Sequence, residues 1–196
     1  MIGGPAAGSG VATAAPGAPR RVVIAPERTG RLSGSLLVLS AILPAVAALA
    51  VLGAGARGMV SAVFLAALGL LAAIDLERQL LPNKIVLPAA AVVLSAQVAL
   101  FPEHALEWVL AALGAFAGLL ILALLRPGGL GMGDVKLGLL LGAGLGADVG
   151  GAILIGFAAI WPVSVWLLVR YGRAGCKRPI PFGPFLALGA AMVALT

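Results

Sequence analysis

Long, continuously apolar runs recur along this 196-residue chain from residue 35 onward. A bilayer has a hydrocarbon core about 30 Å thick, so an α-helix needs about 20 mostly apolar residues to cross it. The runs are uninterrupted instead of alternating, which favours helices over a β-barrel, and a helix satisfies its own backbone hydrogen bonds in lipid. The sequence therefore predicts an all-α fold, a polytopic bundle of transmembrane helices.

Six to seven spans are expected, and seven candidates can be placed. They are, approximately, residues 35–54, 58–74, 85–101, 105–125, 135–147, 149–169 and 182–196. The fifth and seventh are short. The fifth is also rich in glycine, which suits close helix packing or a broken helix that lines a cavity.

Composition agrees with this class and excludes others. The chain is 62% hydrophobic and 10% charged, against about 45–50% and about 25% in soluble domains. Its net charge of +6 is spread over short segments between apolar runs, so a nucleic-acid partner is not expected. Cys176 is the one cysteine, so neither an intrachain disulfide nor a Cys-x-x-Cys zinc site is predicted.

Two regions are predicted. Residues 1–33 are rich in Gly, Ala and Pro with few large apolar side chains, which indicates a disordered cytoplasmic tail. Residues 34–196 form the membrane-embedded domain. A secretory signal peptide is the alternative for the first region, but the segment before the first apolar run is too long, and that run exceeds the usual length of about 7–15 residues.

The distribution of basic residues predicts the orientation of the bundle. If the N-terminus lies in the cytoplasm, twelve basic residues lie inside and Arg57 alone lies outside. This strong positive-inside bias predicts that orientation, in the plasma membrane. The twelve are Arg20, Arg21, Arg28, Arg31, Arg78, Lys84, Arg126, Lys136, Arg170, Arg173, Lys177 and Arg178.

Two aspartates, Asp75 and Asp134, adjoin apolar helices where an acid is unfavourable. A carboxylate at membrane depth costs roughly 2.5–3.5 kcal/mol on insertion scales, so its presence there indicates a functional site. The chain crosses the membrane twice between them, through the third and fourth spans. Both carboxylates are therefore expected at the cytoplasmic end.

Two carboxylates within hydrogen-bonding distance cannot both ionise cheaply, so such a pair shares one proton. The ionised member can take a proton from water while the protonated member hydrogen-bonds a scissile carbonyl. This arrangement predicts direct hydrolysis of an amide. The sequence does not show which aspartate holds the proton.

The polar segment after Asp75 contains Pro82 and Asn83. It indicates that the helix gives way to a loop there, and Asn83 is expected to cap the next helix.

The second aspartate has its own setting. Gly131 and Gly133 are expected to let the backbone turn tightly and approach a substrate closely. Asp134 then falls at a helix start. Lys136 is expected to be a base at the membrane boundary.

Other interpretations remain open at this stage. Asp75 could pair with Arg78, and Asp134 could be a simple N-cap after a glycine turn. Paired intramembrane acids also build proton or cation pathways in small transporters, although those favour acids near the bilayer midplane and an internal repeat. A catalytically silent component of an assembly machine is a third interpretation.

At these residues the chain resembles the type IV prepilin peptidase family, membrane aspartic proteases with a Gly-x-Gly-Asp signature. Three segments carry the resemblance, in the family's order and over about 115 residues. They are Ile74–Asn83, Gly131–Leu137 and Ile180–Gly189.

The resemblance implies an aspartic endopeptidase that removes the leader from type IV prepilins or pilin-like secretion subunits at the cytoplasmic face. These precursors have a short basic leader followed by a hydrophobic helix in the membrane. Asp75 and Asp134 would be the catalytic pair, and Pro82, Asn83, Gly131, Gly133 and Lys136 would shape the motifs. Neither a metal nor an organic cofactor is implied.

One departure from the family pattern concerns the N-terminal region. Many bacterial members carry two Cys-x-x-Cys pairs there and also methylate the new pilin N-terminus. Here that stretch is a Gly/Ala/Pro-rich tail and a single span. Peptidase activity without the zinc-bearing region is therefore expected, and methylation is left open, as are the particular pilin and the oligomeric state.

Overall fold

A computed structural model describes residues 34–125, 129–171 and 181–196. All regular secondary structure in these three ranges is helical, which confirms the predicted all-α bundle. The tail predicted over residues 1–33 lies outside the described residues.

Seven α-helices follow one another along the described chain, with short 3₁₀ turns at Pro102–His104 and Gly146–Asp148. They are α1 (Gly34–Leu52), α2 (Ala56–Arg78), α3 (Asn83–Leu100), α4 (Ala105–Leu125), α5 (Met132–Leu145), α6 (Val149–Tyr171) and α7 (Gly183–Ala194).

The expected count of seven spans is wrong. Five apolar helical stretches among the described residues are long enough to cross a membrane: α1, α2, α3, α4 with its preceding turn, and the stretch Met132–Tyr171. The fifth predicted span corresponds to α5, which has only 14 residues. At 1.5 Å per residue it is about 21 Å long, too short to cross a bilayer core of about 30 Å. α7 has 12 residues, fewer than the roughly 20 that a full span needs. The part of the chain that the structure describes therefore holds five spans, or six if α7 is counted.

The helices pack as an open ring around a leucine-rich core. Going round it, α4 packs on α5, α5 on α3, α3 on α2, α2 on α7, and α7 on α6, while α1 lies against α2. The two ends of the ring, α4 and α6, touch only at a few residues. Fully buried side chains inside it include Phe64, Leu68, Leu137, Leu141 and Leu186.

The two ends of the bundle differ in chemistry. At one end, the guanidinium carbon of Arg57 lies 5.4 Å from the ring centroid of Phe101, so the start of α2 adjoins the end of α3. The opposite end holds the C-terminus of α2 and the N-termini of α5 and α7, with Asp75 and Asp134. We call this second end the acid end.

Glycines let the helices approach closely. A methyl group at Gly142 on α5 would overlap the backbone of Ala111 and Ala112 on α4, and one at Gly189 on α7 would overlap Ala152 on α6. Without strong hydrophobic driving force in lipid, such small-residue contacts supply much of the packing energy between helices. The glycine-rich fifth segment thus packs closely, one of the two possibilities that its composition suggested.

Gly142→Ala is therefore expected to destabilise the bundle by about 1–3 kcal/mol, because an overpacked contact must move the α4 backbone. Thermal unfolding in detergent measures the effect. Gly114→Ala on α4 is the matched control, since no atom lies within 4 Å of a β-carbon built there. Equal unfolding midpoints for the two variants would contradict this account of α4–α5 packing.

Candidate active site

Asp75 lies in the last turn of α2 and is 5% exposed. The helix ends at Arg78, and Gln79 adopts a left-handed conformation with φ 50°. The N–H of Gln79 donates to the carbonyl oxygen of Asp75 at 2.8 Å. Pro82 follows shortly after, as is common beyond a helix C-terminus, so the chain leaves the helix one turn after the aspartate.

The N-terminus of α7 holds the Asp75 carboxylate. The backbone N–H of Gly183 donates to Oδ2 of Asp75 at 3.0 Å in a buried hydrogen bond. The first N–H groups of a helix lack partners within the helix and are free to bind an acceptor. A β-carbon at residue 183 would lie 2.9 Å from that oxygen and 3.3 Å from the aspartate β-carbon, so only glycine fits here without displacing the acid.

Asp134 lies in the first turn of α5, as predicted. Gly131 is the N-cap residue and its carbonyl oxygen accepts the N–H of Asp134 at 3.0 Å. The Oδ1 atom of Asp134 is buried and has no hydrogen-bond partner among the described residues. Buried polar atoms are normally paired, so this oxygen has hydrogen-bonding capacity that no described residue uses.

The structure brings the two acids together. α2 and α5 contact one another, and the carboxylates of Asp75 and Asp134 are close enough to interact electrostatically. One oxygen of the pair is fixed by Gly183 and another is unpaired. Chemically, two neighbouring carboxylates can share one proton and can hydrogen-bond a small polar group.

The glycines of the second motif act differently from the sequence-based expectation. Gly131 has φ −73° and ψ 144°, an extended conformation open to other residues, so no left-handed turn requires it. A β-carbon there would instead lie 3.1 Å from Oδ2 of Asp134. A β-carbon at Gly133 would lie 2.9 Å from that of Leu81, so Gly133 admits the loop that follows Asp75.

The expectation that Asn83 caps the next helix is wrong. The N-cap of α3 is Pro82, at φ −71°, with no side-chain capping bond. Asn83 is the first helical residue, and its Oδ1 accepts a hydrogen bond from Nζ of Lys136 at 3.0 Å. Lys136 therefore ties the start of α5 to the start of α3 beside the acids.

This exposed hydrogen bond should contribute little to stability. A double-mutant cycle with Asn83→Ala and Lys136→Met is expected to give a coupling of about 0.5–1.5 kcal/mol, typical of one net hydrogen bond. Unfolding in detergent measures it. A coupling near zero would show that the contact does not hold in solution.

The simpler readings of the two aspartates are not what the structure shows. No ion pair joins Asp75 to Arg78 within the described ranges, and the N-cap of α5 is Gly131, not Asp134.

The described residues contain no group of three or more His, Cys, Asp or Glu side chains that could hold a metal ion.

Fold and site together define a multi-pass membrane protein with a paired-carboxylate site at one end of a helical bundle. A family model of the type IV leader peptidases matches residues 62–176, which include both aspartates. The chain belongs to the type IV leader peptidase family.

Curated relatives agree with this assignment. The chain is 36% identical over 156 residues to proteins named prepilin leader peptidase/N-methyltransferase from two strains of Burkholderia pseudomallei, covering 75% of this chain and 49% of theirs. A protein of the same name from Bacillus subtilis is 31% identical over 136 residues, covering 68% of this chain and 54% of its own. The chain thus spans about half the length of the curated relatives it matches. No solved structure matches it.

The contact that sequence reasoning missed is Gly183 to Asp75. The segment Ile180–Gly189 carried part of the resemblance but no role was assigned within it. The available signal was a glycine between Phe182 and Pro184 at the start of an apolar helix. That signal marks a helix N-terminus, but not what the helix binds.

Proposed function

We propose that this protein is a membrane aspartic endopeptidase that hydrolyses the leader from type IV prepilins or pilin-like precursors at the cytoplasmic face of the plasma membrane. Membership of the leader peptidase family and the names of the curated relatives support the substrate class. The observation that carries the proposal is the position of the two acids: Asp75 in the last turn of α2 and Asp134 in the first turn of α5 lie at one end of the bundle, close enough to interact electrostatically.

The proposed mechanism uses the two carboxylates as one unit that shares a proton. The ionised member removes a proton from a water molecule, and the water oxygen attacks the scissile carbonyl carbon while the protonated member hydrogen-bonds the carbonyl oxygen. As the tetrahedral intermediate collapses, the C–N bond breaks and the amine leaves with a proton from the pair. One water is consumed, and the pair regains its starting protonation.

Site geometry supports these roles without assigning them to individual residues. Gly183 fixes the direction of one Asp75 oxygen at 3.0 Å, which limits the rotation of that carboxylate. The unpaired oxygen of Asp134 has hydrogen-bonding capacity left for water or the peptide carbonyl. A carboxylate held in one direction keeps the acid in the geometry that the reaction needs.

The cytoplasmic placement rests on the charge distribution. Lys84 and Arg78 lie near the acid end, and the positive-inside bias of the sequence supports a cytoplasmic location for that end. No observation favours a transporter: the acids lie at one end of the bundle, whereas coupling sites of transporters lie near the midplane.

Coexpression with a candidate prepilin tests the proposal. Cleavage is expected to shift the precursor on a gel, and N-terminal sequencing of the product should place the cut between the basic leader and the hydrophobic helix. The mass of the new N-terminus shows whether it is methylated, which this proposal does not include. If the enzyme is inserted in the membrane but cuts none of a panel of prepilins, the proposed function is overturned.

A further inference from the structure

The gap between α4 and α6 is a continuous apolar trough. Two hollows, of about 580 Å³ and about 450 Å³, share Gly114, Ala115 and Val149 and so join end to end. We call this feature the α4–α6 trough. Its walls include Leu106, Gly114, Gly118 and Leu125 on α4 and Val149 and Phe157 on α6.

The trough has the length of one membrane span. Its α4 wall runs from Leu106 to Leu125, which at 1.5 Å per residue is about 28 Å, close to the hydrocarbon thickness of about 30 Å. One charged side chain, Glu107, lines it, at the end away from the acids. Such a surface suits one apolar transmembrane helix.

Bare glycines line the trough. Gly114 and Gly118 form a Gly-x-x-x-Gly pair on α4, and Gly150 lies on the α6 side; no atom lies within 4 Å of a β-carbon built at any of them. By contrast, Gly142 on α5 and Gly189 on α7 pack tightly against neighbouring helices. Small residues at this spacing are what transmembrane helices use to approach one another, and no helix among the described residues covers these three.

Both walls of the trough connect to the acids. On the α6 side, the ring of Phe157 lies 4.9 Å from that of Phe182, the residue before the Gly183 that binds Asp75. On the α4 side, Leu119 lines the trough and packs against Gly138 on α5. The distance from Cδ1 of Leu119 to a β-carbon built at Gly138 is 3.0 Å. Gly138 lies one turn beyond Asp134.

We propose that the α4–α6 trough receives the hydrophobic helix of the substrate, and so presents the preceding leader junction to the two acids. This inference rests on the proposed function. A second copy of this chain or lipid could also fill an apolar trough. Neither of them explains why one wall contacts α5, which carries Asp134, and the other contacts the start of α7, which binds Asp75.

Disulfide cross-linking tests the occupant directly. In a Cys176→Ser background, Gly118→Cys is combined with Asp134→Asn to stop turnover, and single cysteines are placed in the first turns of the hydrophobic helix of a prepilin. We expect a cross-link between enzyme and prepilin. Val92→Cys, on the α3 surface and 55% exposed, is the matched control and should give none. Cross-links between two copies of the enzyme, or none from Gly118→Cys, would overturn the proposal.

Added bulk provides a kinetic readout. Gly118→Leu is expected to raise KM for full-length prepilin on the order of tenfold with kcat little changed, because the side chain occupies the trough without touching the acids. Ala91→Leu, which also places a leucine side chain but on the exposed surface of α3, should leave KM unchanged. An unchanged KM for Gly118→Leu would contradict trough docking, whereas an unsubstituted enzyme that cuts no prepilin would reject the proposed function itself. If Gly118→Leu does not insert, the cross-linking result decides.

Discussion

Replacing either aspartate by asparagine should lower precursor cleavage by roughly 10²–10⁴-fold, the usual contribution of positioned acid–base groups. Asparagine keeps the shape of the side chain but cannot accept or release the shared proton. Initial rates of prepilin cleavage by Asp75→Asn and Asp134→Asn measure the effect. The double variant should be little worse than either single variant, because residues that act as a unit are not additive.

A nearby acid provides the control for these variants. Glu77 lies two residues after Asp75 on α2, and Glu77→Gln replaces a carboxylate by an amide outside the pair. The Glu77→Gln enzyme should therefore cleave the precursor at nearly the rate of the unsubstituted enzyme. Membrane fractionation checks that all variants insert. Undiminished processing by either aspartate variant would remove that residue from the catalytic pair.

Gly183→Ala should reduce kcat by roughly 10–100-fold, since a misplacement of about 1 Å at a catalytic group costs up to that much. The added methyl would stand 2.9 Å from Oδ2 of Asp75 and 3.3 Å from its Cγ, so the carboxylate must move. Gly183 is a positioning residue, and KM should therefore change much less than kcat.

The matched control for that variant is Gly151→Ala on α6. A methyl there would meet only Val193 Cγ2 at 4.0 Å, an ordinary contact, so both kinetic constants should be retained. A rise in KM with an unchanged kcat for Gly183→Ala would contradict the positioning role and indicate that α7 contributes to substrate binding instead.

The sequence predicted well what depends on local chemistry. Continuous apolar runs indicated a helical membrane bundle, and the two crossings between Asp75 and Asp134 predicted that the acids share one end. In the structure α3 and α4, both long and apolar enough to cross a membrane, separate the two acids along the chain, and the acids lie close enough to interact electrostatically. Both inferences follow from lipid solvation and chain parity, which need no tertiary detail.

Contacts between distant segments were harder to predict. The bond from Gly183 to Asp75 joins residues 108 apart, and no local pattern identifies its acceptor. Asn83 has a good capping side chain, yet Pro82 takes the N-cap position and Lys136, 53 residues away, takes the Asn83 oxygen. In both cases tertiary partners decided the outcome.

Span counting failed for a related reason. An apolar segment such as α5 is read as a span from hydropathy, but its length is set by where glycines end the helix. α5 stops at Leu145 because Gly146 takes a positive φ of 58°, in a turn packed against Trp108. Likewise, a Gly-x-x-x-Gly pattern does not show whether its face is already covered, as at Gly142, or open, as at Gly118.

The most direct test of the central claim is a short cross-link between positions 75 and 134. An enzyme carrying Asp75→Cys and Asp134→Cys in the Cys176→Ser background is treated in intact membranes with a short thiol-specific bifunctional reagent, and proteolysis between the two positions reports the link. We predict that the fragments stay joined until the link is reversed. Fragments that separate, although each thiol reacts alone with a monofunctional reagent, would contradict a joint site.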